Sequence, residues 1–508
     1  MKLPVIEPYR AYIYISYLKT FNEKTMFLLK KFGMGHVNFS NISEAVSECL
    51  DQIFLPDFVV SFDHWLKQQE SSDSDRYKNY FKDKDNKWQG KLKSENLYIT
   101  SLALNIINST IRNIRECLER FTEDYGRIAE EFDFPEGIDW ISMEILGGDR
   151  HENGRQPLRI SSKSFSVVYK PRCTGIEPVL NKICNIIGFD DICPKTIDKK
   201  QYMWQRFVEN RGLEEESEAH TVYFNYGSIL GIADYLNIND CHFDNFIVDR
   251  DKVFFVDAET SFQYFYNSNP DFERSILQTG LLQSQETLIN GIGHTSAITA
   301  VTSIFQSYTY PHALNDASEK IRVSYERGFS RKTQNFPHID GIAIQPLNYI
   351  DDVASGYEKA FYALNSNKHM VLDVLEQNQN LRPRFLIRTT AYYLLVINQL
   401  INPKNSSNST ENFPRVFNEY LCYENAHEGF KQLIPYESKC LEDYDVPIFY
   451  IDLNGCALTN GDGETIEDFL PQSPVSQIKE NFTRGKLYLE RQKELIKWSM
   501  NVDFNKQC

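Results

Sequence analysis

From Leu102 to Ile128 apolar residues return at Leu104, Ile107, Ile111, Ile114, Leu118 and Phe121, with arginine and glutamate between them. That three-and-four spacing marks one face of a helix and predicts the clearest helix of the N-terminal third. Upstream, residues 1 to about 70 mix aromatic and aliphatic positions without one period; Ile42 to Phe54 and Phe58 to Leu66 each read as a short helix. Ser71 to Asn96 is polar, with interleaved Lys and Asp, and reads as an exposed loop or solvated helix. After Phe134-Pro135-Glu136-Gly137 the pattern turns extended, predicting a small antiparallel sheet from Ile138 to Leu146, Pro157 to Ser161 and Phe165 to Lys170.

Further along, Ile176 to Ile187 predicts a helix, Tyr202 to Val208 a strand suited to a hinge, and Arg211 to Glu218 a charged turn. Val222, Tyr226, Ile229, Leu230 and Ala233 then mark an amphipathic helix that runs into a loop at Asp240. A hairpin follows, Phe246 to Val248 and Val253 to Val256 around a polar turn. Beyond Glu259 period-two alternation is lost, and helices are expected over Asp271 to Leu282, Ala297 to Ser307, Ile350 to Asn365, Thr390 to Ile401 and Leu487 to Met500. Asn402 to Phe413 reads as an exposed loop.

Composition narrows the class. The chain has 508 residues, 42% apolar and 13% aromatic, enough for several buried cores. A net charge of −16 argues against generic nucleic-acid or anionic-membrane binding. Ten scattered cysteines with no CxxC pair fit a reduced, cytoplasmic setting, and no window is long and apolar enough for a membrane span.

The chemistry gathers between Asp240 and Glu259. Asp240, His242 and Asn245 fall on the tight loop, and the hairpin returns Asp257 and Glu259 beside them. A protein kinase spaces its catalytic Asp, its Asn and its metal-binding Asp in this way, because a hydroxyl nucleophile needs an acceptor and Mg²⁺ needs hard oxygen donors. The spacing here is five residues and then twelve. Lys170 ends a strand just before Pro171, where a buried lysine suits an anion, and Gly147 and Gly148 open a loop, Gly147 to Gly154, of the kind that lets backbone amides approach phosphate. The helix after Lys170 offers only Glu177, so the lysine–glutamate pair of protein kinases is not clearly encoded. Strand, hinge, helix, catalytic loop and hairpin in this order predict an α+β fold with a kinase-like bilobal core and small antiparallel sheet, set between helical N-terminal and C-terminal regions. The boundaries expected are 1–136 for the helical N-terminal region, 137–265 for the core and 266–508 for the mainly helical remainder.

Gly148-Asp-Arg-His151, Val168-Tyr-Lys-Pro-Arg172, Asp240-Cys-His-Phe-Asp-Asn245, Val256-Asp-Ala-Glu259, Thr279-Gly-Leu-Leu282, Arg384-Phe-Leu-Ile-Arg-Thr-Thr390 and Asp445-Val-Pro447 occur in an order that resembles the dehydratase part of LanM-type (class II) lanthipeptide synthetases. That family resembles lipid kinases in fold. The resemblance implies a stand-alone dehydratase that uses ATP and Mg²⁺ to phosphorylate Ser and Thr of a ribosomally made precursor peptide with a leader, then eliminates the phosphate to leave dehydroalanine or dehydrobutyrine. It implies that Lys170 binds ATP phosphates, to which the Gly147–Gly148 loop read above would add backbone amides, that Asp240 orients or deprotonates the hydroxyl, and that Asn245, Asp257 and Glu259 form the metal set. His242 would brace them. Asp149, His151, Arg384 and Thr390 would carry elimination. The family commonly has Pro where this chain has Thr389, and complete synthetases continue into a zinc cyclase, so a separate cyclase is an expected partner. Two other readings stay open: a kinase of this fold without elimination, and an inactive scaffold that binds a leader peptide.

Overall fold

The computed structural model describes residues 8–31, 37–69, 76–82, 97–134, 141–266, 275–284, 288–289, 293–299, 305–306, 311–314, 318–324, 329–330, 335–406, 412–422 and 428–501. It is α+β, a mixture of helices and small antiparallel sheets. The chain divides into two compact units, each assembled from three separated segments. The first comprises 1–171, 308–327 and 388–447; the second comprises 172–307, 328–387 and 448–508.

In the first unit the helix expected from Leu102 runs from Leu97 to Phe132. Its buried stripe is Leu102, Ile106, Ile107, Ile114, Cys117, Leu118 and Phe121, whereas Leu104, counted into the stripe from spacing, is exposed. The two short helices expected between Ile42 and Leu66 are one helix, Ser40–Lys67. Pro56 lies inside it, fully buried, so the packing of Ile53, Phe54, Leu55 and Phe58 outweighs the missing backbone hydrogen bond. Within the polar stretch 71–96, Arg76–Lys82 forms a helix whose Tyr77 and Tyr80 are buried edge-on against Phe62, so this part is packed rather than solvated; the rest of that stretch lies outside the described residues. Strands Ser142–Ile145, Leu158–Ser161 and Ser166–Lys170 form an antiparallel meander, with Ile160 facing both Met143 and Val167. Lys170 is half-buried at the end of the third strand.

The second unit is organised around a helix pair, Glu218–Tyr235 and Ile350–Ser366. An added Cβ at Gly227 would stand 2.0 Å from the Val353 carbonyl oxygen, and one at Gly356 2.0 Å from that of Phe224. Only glycine allows so close a crossing. Helices Ile176–Ile186 and Lys486–Asn501 pack into the same core, which includes Leu180, Ile183, Leu230, Tyr357, Leu364, Leu489 and Ile496. Two expectations fail here. Ala297 to Ser307 is not a helix in its described part, since Ala297–Thr299 is a turn and Phe305–Gln306 a strand. Of Asp271 to Leu282, only the short 3₁₀ turn Ile276–Thr279 is helical among the described residues. A three-stranded sheet, Phe449–Ile451, Leu458–Asn460 and Thr465–Ile466, was not anticipated. No helix among the described residues is long and apolar enough to cross a membrane.

Candidate active site

The central loop begins where helix Glu218–Tyr235 ends. Asn237 adopts φ 52° and is buried, accepting Gln263 N–H at nearly the same place as its amide donates to the Gln263 carbonyl: the Asn237 carbonyl takes the backbone bond at 2.8 Å and its Nδ2 makes the other at 3.0 Å. Asp240 also has φ 57°, a left-handed conformation that costs a non-glycine residue energy and is found where surrounding structure enforces it. The enforcement is visible. Thr260 Oγ1 donates to the Asn239 carbonyl at 3.0 Å, Cys241 N–H to the Thr279 carbonyl at 2.9 Å, and Asn245 Nδ2 to the Asp240 carbonyl at 2.8 Å. Gly280, at φ 84°, lets the Thr279 turn approach, since a Cβ there would stand 3.2 Å from the Cys241 nitrogen. The Thr279-Gly280 pair therefore holds the Asp240 loop.

The hairpin pairs Phe246 with Phe255 and Asp249 with Lys252, with the two rings stacked at 4.7 Å. Val256 N–H continues the ladder to the Asn245 carbonyl at 2.9 Å, which returns Asp257 to the loop beside Asp240. Asp240 feels His242, Arg384, Asp257 and Glu259 electrostatically. Desolvation raises its carboxyl above the ordinary aspartate range, while His242 and Arg384 pull it down. Solvent still reaches 36% of the side chain, which limits the rise. His242 accepts the Asp244 N–H at Nδ1, at 3.3 Å, so its proton is on Nε2, 3.7 Å from Asp240 Oδ1. Burial pushes the Cys241 thiol well up, so it stays protonated and offers no thiolate.

Glu259 is engaged on both sides. Its Oε1 accepts Arg384 Nη1 at 2.6 Å, and Arg172 Nη2 stands 3.5 Å from Oε2. The Arg384 backbone is fixed as well, its N–H donating to the Glu259 carbonyl at 2.7 Å and its carbonyl accepting Gln263 Nε2 at 2.7 Å. Pro383 to Phe385 is laid along the Phe449–Ile451 strand, through Phe385 N–H to the Phe449 carbonyl and Ile451 N–H to the Pro383 carbonyl. Arg384, expected with the elimination residues, thus belongs to the second unit with Asp240 and Glu259.

Asp149, His151 and Thr390 belong to the first unit. Thr390 Oγ1 donates to Asp149 Oδ2 at 2.6 Å, and helix Thr390–Leu400 starts there. Thr389 is its N-cap, accepting from Tyr392 N–H, with φ −66°. That is an angle a proline ring also adopts, and threonine here adds a cap. His151 is 2% exposed and donates Nδ1–H to the Val446 carbonyl at 2.7 Å, which fixes the orientation of its ring. Neighbouring groups lock the loop: Asp445 Oδ2 accepts Gly154 N–H at 2.8 Å, Val446 N–H donates to the Arg150 carbonyl at 2.7 Å, and Arg150 Nη2 reaches Ser109 Oγ at 2.6 Å. Gly147 and Gly148 have φ of 91° and 82° with open space at the Cβ position, so they are needed for conformation. Lys170, at its strand end, is also in this unit.

Arg172, Gln263 and the Asp445–Arg150 lock were not singled out from sequence, although Arg172 and Asp445 lie in motifs that were. The available signal was position: an arginine two residues beyond the lysine, and an aspartate in a short motif with no assigned task.

For metal, the fit rests on donor chemistry. Among the described residues no three of His, Cys, Asp and Glu cluster as a ready metal cage. With Asn245 Nδ2 committed to the Asp240 carbonyl, its Oδ1 remains an acceptor, and Asp257 supplies a carboxylate. A few hard oxygens are what Mg²⁺ uses when water and phosphate complete its shell, so these residues fit Mg²⁺.

A family model described as a domain of unknown function, DUF4135, matches residues 98–452. A curated relative, the lacticin 481/lactococcin biosynthesis protein LcnDR2 of Lactococcus lactis subsp. lactis, is 23% identical over 390 residues, 71% of this chain. The match covers 41% of that relative, so the chain spans less than half its length. The loop, the hairpin and the Asp149–Thr390 pair all lie inside the matched region, and the chain belongs to the DUF4135 family, a LanM-associated domain, and carries a LanM-like dehydratase region.

Proposed function

We propose that this protein modifies a lanthipeptide precursor, phosphorylating Ser and Thr with ATP and then eliminating phosphate, on a kinase-like bilobal core. The observation that carries the first step is the tie of Asn245 to both neighbours, its amide to the Asp240 carbonyl and its carbonyl to Val256 N–H, which brings acid, amide and acid together. In this reading Asp240 accepts the proton of the attacking hydroxyl. His242 stands with Nε2 3.7 Å from that carboxylate, and its Nδ1 accepts Asp244 N–H. Asn245 and Asp257 would hold Mg²⁺, with Glu259 behind them, and the ion would supply positive charge beside the transferred phosphoryl group. Lys170, Gly147 and Gly148 attend the ATP phosphates.

Elimination removes the α-proton, forms the Cα–Cβ double bond and breaks the Cβ–O bond, releasing phosphate. Asp149 and His151 are the candidate bases, one hydrogen-bonded to Thr390 and the other oriented through Nδ1 by the Val446 carbonyl. Arg384 stabilises the departing phosphate as a guanidinium does, by planar paired donors. Similarity to a lacticin 481/lactococcin biosynthesis protein supports the substrate class, and a separate cyclase is the partner proposed for the product.

The test is mass spectrometry of a precursor peptide encoded beside the gene, incubated with protein, ATP and Mg²⁺. The expected result is loss of one water per modified residue. Phosphate gain alone in the wild type reduces the activity to a kinase, and an unchanged peptide supports the scaffold reading.

A further inference from the structure

Gln263 has no task in the scheme above, yet Arg384 hangs from it and from its neighbours. Three attachments of Arg384 land between Glu259 and Gln263: its N–H donates to the Glu259 carbonyl at 2.7 Å, its Nη1 to Glu259 Oε1 at 2.6 Å, and its carbonyl accepts Gln263 Nε2 at 2.7 Å. Gln263 also reaches the stretch that leads into Asp240. Its N–H donates to the Asn237 carbonyl at 2.8 Å, and its own carbonyl accepts Asn237 Nδ2 at 3.0 Å. Helix Pro474–Asn481 braces Asn237 from behind, with Asn481 Nδ2 donating to Asn237 Oδ1 at 2.8 Å and Gln477 Oε1 accepting Asn237 Nδ2 at 3.2 Å. Gln477 in turn bonds both the N–H and the carbonyl of Phe265 at 2.9 Å. All four amide side chains are buried. One braced side chain thus joins the Asp240 loop to the segment that carries Arg384.

Backbone strain separates this joint from ordinary satisfaction of core carbonyls. Phe262, next to Gln263, is fully buried at φ 60°, a left-handed conformation that a bulky residue adopts only under constraint. Asn237 and Asp240 stand at φ 52° and 57°. Strained residues on both sides of one clasp mark a place where geometry is kept although it costs stability. The chemistry gives a reason to keep it. Setting a guanidinium on a departing phosphate is a matter of position, and a misplacement of about 1 Å can cost on the order of 10²-fold in rate. A buried amide bonded in this way fixes a backbone more sharply than apolar packing, because any shift leaves a donor and an acceptor unpaired in the core.

We propose that Gln263 is a positioning residue for Arg384, holding the arginine backbone in set relation to the Asp240 loop so that acid and guanidinium serve one bound Ser or Thr. This rests on the function proposed above, and Gln263 acts through Arg384 and not by touching the peptide. Gln263→Met keeps the volume and loses the donor. With precursor peptide, ATP and Mg²⁺, mass spectrometry over time follows phosphopeptide and dehydrated product separately. Phosphorylation is expected to stay within about twofold of wild type, while elimination falls roughly tenfold in kcat with little change in KM, so that phosphopeptide accumulates. Adding Gln263→Met to Arg384→Ala should slow elimination no further, because nothing is left to position. A merely structural glutamine lowers both steps together, in proportion to the folded fraction. Thermal melts establish the fold, and Gln263→Asn, which keeps an amide but falls one methylene short, carries the same test if the methionine variant does not fold. Equal loss of both steps in a folded variant, or a further loss in the double variant, overturns the positioning role. Dehydration at the same rate by wild type and Gln263→Met removes that role and leaves the function. A wild type that only phosphorylates the peptide, or leaves it unmodified, removes the function and the role with it.

Discussion

Asp240 combines a strained backbone with a carboxyl that resists ionisation, and both features follow from where the loop is tied. Because desolvation raises its pKa, the folded state favours the protonated form, so its stabilising contribution is full below the ordinary aspartate range and is lost as pH rises through the raised value. Asp240→Asn removes that charge and places at φ 57° a residue type that tolerates the left-handed region. The expected outcome is a thermal midpoint at pH 7 equal to or above wild type, with phosphorylation abolished. A large drop in the midpoint contradicts this account. Arg384 lowers the Asp240 pKa, so Arg384→Ala should move the acidic limb of the phosphorylation pH profile to higher pH, while phosphopeptide accumulates. An unmoved limb, or equal loss of both steps, sinks that assignment. At this scale the sequence was most informative: spacing and residue type placed Asp240, Asn245 and Asp257 on one loop and hairpin. It was silent on Arg172, because nothing in a single arginine says that it shares a carboxylate with another more than two hundred residues away.

Elements were legible where apolar residues recur at a regular period over several turns or along a strand. Helices Ile176–Ile186, Glu218–Tyr235, Ile350–Ser366 and Lys486–Asn501 and the hairpin at Phe246 lie close to their expected positions. Strand Phe449–Ile451 was not legible, since all three residues are buried and a strand covered on both faces has no alternation to read. Helix Lys368–Gln377 also escaped, being short and following Ile350–Ser366 almost without a break. The glycines of the central helix pair test how strictly an element contact is set. Gly227→Ala or Gly356→Ala forces a Cβ against a carbonyl oxygen of the partner helix and should cost on the order of 3 kcal/mol, enough to lower the unfolding midpoint of the second unit by several degrees. Gly126 is the control. It lies exposed within helix Leu97–Phe132 with nothing within 4 Å of an added Cβ, so Gly126→Ala should stabilise by roughly 0.5–1 kcal/mol. Similar midpoints for Gly126→Ala and Gly227→Ala in chemical denaturation are incompatible with this crossing.

The interleaving of two units, each from three segments, has no local signature, because composition and periodicity report neighbours along the chain and not which distant segments share a core. Burial of tyrosine does have a global consequence. In the second unit Asp234 accepts from Tyr357 at 2.8 Å and Tyr488 at 2.9 Å, and pairs with Arg484 at 3.0 Å, all largely buried. Burial first, and Asp234 after it, raises the pKa of both tyrosines; burial also raises Tyr223 and Tyr226. A group whose folded pKa lies above its unfolded one stabilises fully below the unfolded value, near 10 for tyrosine, and loses that contribution as pH rises toward the folded value. The unfolded chain then sheds protons that the folded chain keeps, so each such tyrosine removes roughly 1.4 kcal/mol of stability per pH unit above about 10. Urea unfolding of the second unit should therefore weaken from about pH 8.5, where unfolded thiols shed protons that Cys173, Cys184 and Cys241 keep, and weaken more steeply above about 10 as the tyrosines join. Tyr488→Phe removes a hydrogen bond and should be less stable at pH 8 by about 1 kcal/mol, yet decline more slowly above pH 10 because one titrating group is gone. The two curves should converge with rising pH, and parallel curves would show that the buried tyrosines do not set the alkaline limit of this fold.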